Sequence, residues 1–147
     1  MIAKKTVNTF TVSRKFTFCY GHRLLNYDGK CSHPHGHNAN VKITLQNNKL
    51  DQNGMLIDFN KIKQTIGRWL NENFDHKMIL CKNDPLVKLL EQIGEPVFVL
   101  RDNPTAENLA AAIFRQCEIL NLPVTSVQFW ETENCCAEFT SHSPKSN

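Results

Sequence analysis

The sequence predicts an α+β domain in which two long helices cover one face of an antiparallel four-stranded sheet. Three observations predict it: two long segments of period-2 alternation early in the chain, two apolar stripes at helical spacing further on, and two short apolar runs near the end. The order strand, strand, helix, helix, strand, strand segregates the helices to one side of the sheet. With 147 residues, 41% of them apolar, one domain spanning residues 1–147 can bury its own core.

From residue 10 to 22 the even positions read Phe10, Val12, Arg14, Phe16, Phe18, Tyr20 and His22, whereas the odd ones are mostly Thr, Ser and Lys. This is the pattern of a half-buried strand. Asn26, Asp28 and Gly29 turn the chain, and from His37 the odd positions Ala39, Val41, Ile43 and Leu45 form the inner face of a second strand. The two should be antiparallel neighbours. Asp58 is a candidate N-cap for a helix carrying Phe59, Ile62, Ile66, Trp69 and Leu70 on one stripe, fading near Phe74. Asn83-Asp84-Pro85 opens a short helical turn, and Val97 to Leu100 reads as a short apolar strand. Asn103-Pro104-Thr105 starts the second long helix, whose stripe is Leu109, Ala112, Ile113, Cys117 and Leu120; Pro123 prevents its continuation. Val127, Phe129 and Glu131 share a strand face, residues 135–139 form a last strand, and residues 140–147 form a polar, disordered tail.

Composition narrows the functional classes. A formal charge of +3 with dispersed lysines is too weak for a nucleic-acid footprint but suits a small anionic ligand. No apolar run approaches the roughly 20 residues of a membrane span, and the opening residues lack a signal-like apolar core, so no membrane partner and a cytoplasmic location are expected. Six cysteines are well below the density of a disulfide scaffold and read as free thiols.

The chemistry concentrates in Cys31-Ser32-His33-Pro34-His35-Gly36-His37. In an extended segment, residues two apart share a face at a spacing of about 7 Å, so His35 and His37 can converge on one ion with Gly36 leaving room between them. His33 and His37 would be about 13 Å apart, too far for a single metal. His22, which ends the first strand on the parity of its large residues, is the best third ligand. Three imidazoles with an open position suit a catalytic zinc rather than a closed structural site. Cys31 is open between a core thiol, a fourth ligand and a nucleophile or base. Asp75-His76 is either a capped helix end or an acid–imidazole pair facing a cleft. Glu131, on an inward parity, needs a cationic or amide-bearing partner, whereas Glu107 by default is a surface acid favoured by its helix N-terminus.

These residues fall into a combination that resembles a known family. Phe16-Thr17-Phe18 leading to His22-Arg23-Leu24, Cys31-x-x-x-His35-Gly36-His37, Ile57-Asp58-Phe59, Asp75-His76, Pro104-Thr105-x-Glu107 and Trp130-Glu131-Thr132 are similar to the 6-pyruvoyl-tetrahydropterin synthases together with the bacterial 6-carboxytetrahydropterin synthases. The resemblance implies that His22, His35 and His37 hold zinc, that Cys31 is the catalytic thiol, and that Asp75 and His76 are its proton-transfer partner. It implies that Thr105, Glu107 and Glu131 bind the pterin, with Glu131 the anchoring carboxylate. The implied fold is the tunnelling fold, whose sheets close into a barrel in a trimer; two trimers stack into a homohexamer with active sites between subunits. The implied activity is that of a zinc-dependent carbon–oxygen or carbon–carbon lyase acting on 7,8-dihydroneopterin triphosphate. Three residues between Cys31 and His35 resemble the branch that forms 6-carboxy-5,6,7,8-tetrahydropterin and acetaldehyde for queuosine biosynthesis. Lys77 after His76 resembles the alternative, triphosphate elimination to the 6-pyruvoyl product; a non-catalytic zinc and pterin binder is the remaining alternative. The absence of glutamate between Cys31 and His35 argues against a hydroxymethyl-forming branch. Arg23, Lys30 and His33 are candidates to meet the triphosphate.

Overall fold

The fold is built on the first two strands. In the computed structural model, which describes residues 8–141, β1 (Phe10–His22) and β2 (His35–Asn47) pair antiparallel without a break, from Phe10 opposite Asn47 to His22 opposite His35. The alternation read from sequence appears as burial. Phe18, Tyr20 and His22 are buried on β1, and Ala39, Val41, Ile43 and Leu45 on β2, while the opposite face carries Thr11, Ser13, Lys15 and Thr17 in solvent. Gly36 is required where the strands meet the metal-type residues, because a Cβ there would lie 2.8 Å from the Tyr20 carbonyl oxygen.

The sheet has six strands rather than the expected four, and it is mixed rather than wholly antiparallel. β3 (Lys77–Cys81) lies parallel to the end of β1, and β4 (Val97–Leu100) parallel to β3; β5 (Val124–Thr132) is antiparallel to β2, and β6 (Cys135–Thr140) to β5. The order is β4-β3-β1-β2-β5-β6. β3 has no alternation to reveal it: Ile79, Leu80 and Cys81 are all buried, as in a short parallel strand covered on both faces. Thr140, assigned by sequence to the tail, is the last residue of β6 and pairs with Ser126. Residues 142–147 lie outside the described residues.

The helices cover one face, as the fold class requires. Residues 59–73 form one helical run made of α1 (Phe59–Ile62), a π-helical stretch (Lys63–Gly67) and α2 (Arg68–Asn73). Asp58 caps it by accepting the Asn60 N–H at 2.7 Å. Inside the run, Gly67 lets the helix approach β1, since a Cβ would come within 2.7 Å of the Phe16 ring. α3 (Pro85–Gln92) starts with proline after the Asp84 cap and connects the parallel strands β3 and β4. α4 (Ala106–Ile119) is capped by Thr105. It ends before Pro123 at the C-cap Leu120, and Asn121 beyond it adopts a left-handed φ of 56°. Ile62, Ile66 and Leu70 from the first run and Leu109, Ile113, Phe114 and Cys117 from α4 form one core with Phe18, Ile43, Phe74, Val127 and Phe129. Burial pushes the Cys117 thiol up to about 12, which keeps it protonated and inert.

Candidate metal centre and adjoining cavity

The cross-strand pairing that sets His22 opposite His35 also sets Tyr20 opposite His37. Register alone therefore delivers the three imidazoles to one end of the β1–β2 ladder. His22, His35 and His37 each present a nitrogen within 4.8 Å of the others. Ring centroids lie 4.5 Å apart for His22 and His35, 5.2 Å for His22 and His37, and 5.1 Å for His35 and His37. His22 Nδ1–H donates to the Pro104 carbonyl at 2.7 Å, and His35 Nδ1–H to the His33 carbonyl at 2.7 Å. Each bond puts the ring proton on Nδ1 and leaves the Nε2 lone pair facing the centre, the orientation that backbone carbonyls impose on metal-binding histidines. Burial holds the His22 imidazole below its ordinary pKa and so in the neutral, ligating form. The Nε2 atoms of His22 and His37 are buried without a hydrogen-bond partner. Buried nitrogens left without partners are costly, and a divalent cation would satisfy both. The donor set therefore fits a metal ion.

Beside this centre lies a cavity of about 290 Å³ lined by His22, Cys31, Thr105, Glu107, Glu131 and Cys136, among others. Cys31 reaches it from a single 3₁₀ turn, Lys30–Ser32, held by Ser32 and His33 N–H bonds to the carbonyls of Gly29 and Lys30. Thr105 and Glu107 reach it from the N-terminus of α4, where a negative ligand group would also meet the positive end of the helix dipole. Glu131 sits where the β5–β6 register slips between Trp130 and Thr132, a bulge that re-aims one side chain. Its Oε1 accepts the Tyr20 O–H at 3.1 Å and lies 3.7 Å from His22 Nε2. Burial, and then the Glu131 carboxylate, push the Tyr20 pKa up, so the phenol remains a donor. Tyr20 thus ties the carboxylate to the metal-type centre. Its inward parity on β1 was visible in sequence; its partner 111 residues away was not.

Asp75 and His76 are elsewhere in the chain. They form the bend into β3, where His76 N–H donates to the Cys19 carbonyl at 2.7 Å and Asp75 Oδ1 accepts the Cys19 N–H at 3.1 Å. Asp75 Oδ1 is 2.9 Å from His76 Nδ1, and the Cys19 thiol is 3.3 Å from His76 Nε2. The thiol beside the pair is therefore Cys19, and among the described residues no hydrogen bond joins Asp75 or His76 to Cys31. Cys19 has odd parity on β1 and faces away from His22, so spacing could not have paired it with residues 56 and 57 positions away. Arg23 is paired with an acid. Its guanidinium donates through Nε to Asp84 Oδ2 at 2.7 Å and through Nη2 to Asp84 Oδ1.

Comparison with known proteins gives concordant matches. A sequence profile of the family described as 6-pyruvoyl tetrahydropterin synthase matches residues 11–142. The 6-carboxy-5,6,7,8-tetrahydropterin synthase of Rickettsia typhi is 40% identical over 133 residues, covering 86% of this chain and 96% of its own. The enzyme of the same name from Haemophilus influenzae is 26% identical over 138 residues, covering 88% and 98%. Among solved structures, an uncharacterized protein of Wolinella succinogenes superposes with a TM-score of 0.74 at 25% identity, covering 92% of this chain and 99% of its own. The 6-pyruvoyl tetrahydropterin synthase of Caenorhabditis elegans has a TM-score of 0.69 at 22% identity, covering 92% and 98%, and shares the fold.

Proposed function

Since the chain belongs to the 6-pyruvoyl tetrahydropterin synthase family, we propose that it converts 7,8-dihydroneopterin triphosphate to 6-carboxy-5,6,7,8-tetrahydropterin with release of acetaldehyde and triphosphate. The observation that carries this reading is the cavity in which Cys31, Thr105, Glu107 and Glu131 meet His22 of the histidine centre. The carboxy branch is supported by relatives of that name at up to 40% identity and by the three residues between Cys31 and His35. Its product would feed 7-deazaguanine synthesis for queuosine.

His22, His35 and His37 would hold zinc. Bound there, zinc supplies Lewis acidity, polarising the substrate's side-chain hydroxyls and stabilising negative charge on oxygen. Glu131 accepts the parallel N–H donors of the pterin 2-amino-4-oxo edge, and the Tyr20 hydroxyl holds one carboxylate oxygen so that the other is presented to the ligand. Thr105 and Glu107 border the same ligand at the start of α4. Cys31 moves protons between the ring-adjacent carbon and the side chain. Asp75 and His76 belong to this chemistry only if a neighbouring subunit brings its own pair to Cys31, which is the reading we adopt, with a homohexamer as the assembly. It is supported by sheet edges that lack neighbours among the described residues: there, residues 10–19 of β1 pair only with β2, and β6 pairs only with β5. Such edges are satisfied by strands of other copies. A cytoplasmic location is consistent with six free cysteines and with the finding that, among the described residues, no helix is long and apolar enough to cross a membrane.

The test is to supply dihydroneopterin triphosphate to the purified protein and identify products by mass. Carboxytetrahydropterin with stoichiometric acetaldehyde is expected. The pyruvoyl product would overturn the branch, and substrate bound but unchanged would leave a non-catalytic pterin binder.

A further inference from the structure

Glu131 stands at the edge of the histidine centre without belonging to it. Its Oε1 is 3.7 Å from His22 Nε2. The His22 proton is on Nδ1, given to the Pro104 carbonyl, so Nε2 and Oε1 are two acceptors face to face with no hydrogen bond between them. Donors on a tetrahedral zinc bound at about 2.0 to 2.1 Å to nitrogen and oxygen stand roughly 3.3 to 3.4 Å apart. A carboxylate at this distance from one imidazole is a side-chain rotation away from joining the ligands. The three imidazole nitrogens lie within 4.8 Å of one another, and among the described residues no carboxylate oxygen completes that group.

Tyr20 is what holds the carboxylate back. Its O–H donates to Glu131 Oε1 at 3.1 Å, and the hydroxyl is the fixed end of the bond. Tyr20 is paired on both sides, with His37 of β2 and with Lys77 of β3. Its ring packs against Phe129 and Phe18 at centroid separations of 5.8 and 6.1 Å and meets His22 edge-on at 5.0 Å. Glu131 is the movable end, a long side chain on a bulge at the rim of the cavity. A phenol locked in the core therefore decides which way a flexible carboxylate turns.

We propose that Tyr20 is a positioning residue that keeps Glu131 out of the coordination shell of the metal, so that the fourth position stays open and the carboxylate stays available to the pterin. The metal half of this stands on the distances above; the pterin half rests on the proposed role of Glu131 as the anchor. With the hydroxyl in place, metal and pterin bind independently. Without it, they compete for one carboxylate, and each weakens the other by the same factor.

The experiment uses the full-length protein stripped of metal. Zinc affinity is measured by competition with a chromogenic chelator, and pterin affinity by the fluorescence of unsubstituted pterin, which lacks the hydroxylated side chain. Tyr20→Phe keeps the ring and removes only the hydroxyl. It should bind zinc about tenfold more tightly than wild type, the scale on which groups around a metal alter its affinity. Made in a chain that already carries Glu131→Gln, the same change should leave zinc affinity within about twofold, because an amide is a poor zinc ligand. Zinc should alter the pterin affinity of wild type by less than about twofold and weaken that of Tyr20→Phe by about tenfold. Unchanged or weaker zinc binding in Tyr20→Phe, or a tightening that persists beside Glu131→Gln, would overturn the positioning role. If wild type binds no pterin, or if Tyr20→Phe gains zinc affinity while its pterin affinity ignores zinc, the pterin half is overturned together with the anchor reading, and the zinc comparison still decides the metal half.

Discussion

Replacing His37 with leucine should change stability differently with and without metal. The side chains are similar in volume, so the substitution removes the buried, partnerless Nε2 and little packing. A buried polar atom without a partner costs about 1 to 3 kcal/mol. In metal-stripped protein, His37→Leu should therefore be neutral or stabilising by up to that amount. For a chain of this length, roughly 3 to 4 °C per kcal/mol converts this to a rise in Tm of up to about 12 °C. In zinc-loaded protein the same change removes one of three ligands. Zinc at 100 times its dissociation constant contributes about 2.7 kcal/mol to the native state, and weakening its binding a hundredfold or more removes most of that. Calorimetry should then show the Tm of His37→Leu, taken relative to wild type, lower in zinc than in chelator by several degrees. A shift of the same sign and size in both conditions would refute the reading of His37 as a ligand facing an ion.

Three further outcomes are expected. Cys31→Ala should retain zinc and pterin binding while turnover falls by about 10² to 10⁴, whereas Glu131→Ala should weaken pterin binding by about one to two powers of ten; zinc analysis, pterin fluorescence and product formation on the same preparations separate them, and loss of zinc in Cys31→Ala would make Cys31 a ligand or its support. Asp84→Asn should destabilise the protein by about 3 kcal/mol at neutral pH, because it breaks a buried pair with Arg23. The hydrogen bond from Arg23 holds the Asp84 pKa below the usual carboxylate value, so this stability is fully present above about pH 4 and is lost as pH falls through the lower, folded-state value. Urea titrations at stepped pH should therefore show the gap between wild type and variant closing only under acid. Light scattering should give a mass near six chains, and an active monomer at micromolar concentration would exclude the hexamer.

How much of this was legible in the sequence depends on the range over which each feature is encoded. Alternation along residues 10–22 and 35–47 is local, and side-chain period is a property of the strand itself, so the inward faces and the convergence of His22, His35 and His37 followed once the two strands paired. The α4 cap at Thr105 is likewise written in neighbouring residues. Alternation says which face a residue takes but not which strand lies alongside. β3, buried on both faces, had no period, and its parallel place between β1 and β4 was decided by packing. The same holds for the contacts that define the chemistry: Tyr20 with Glu131, Arg23 with Asp84, and Cys19 rather than Cys31 beside Asp75 and His76. Each joins residues more than fifty positions apart. No local pattern encodes such a pair, because only the closed sheet, with its register and its bulge at Glu131, brings the two side chains within reach.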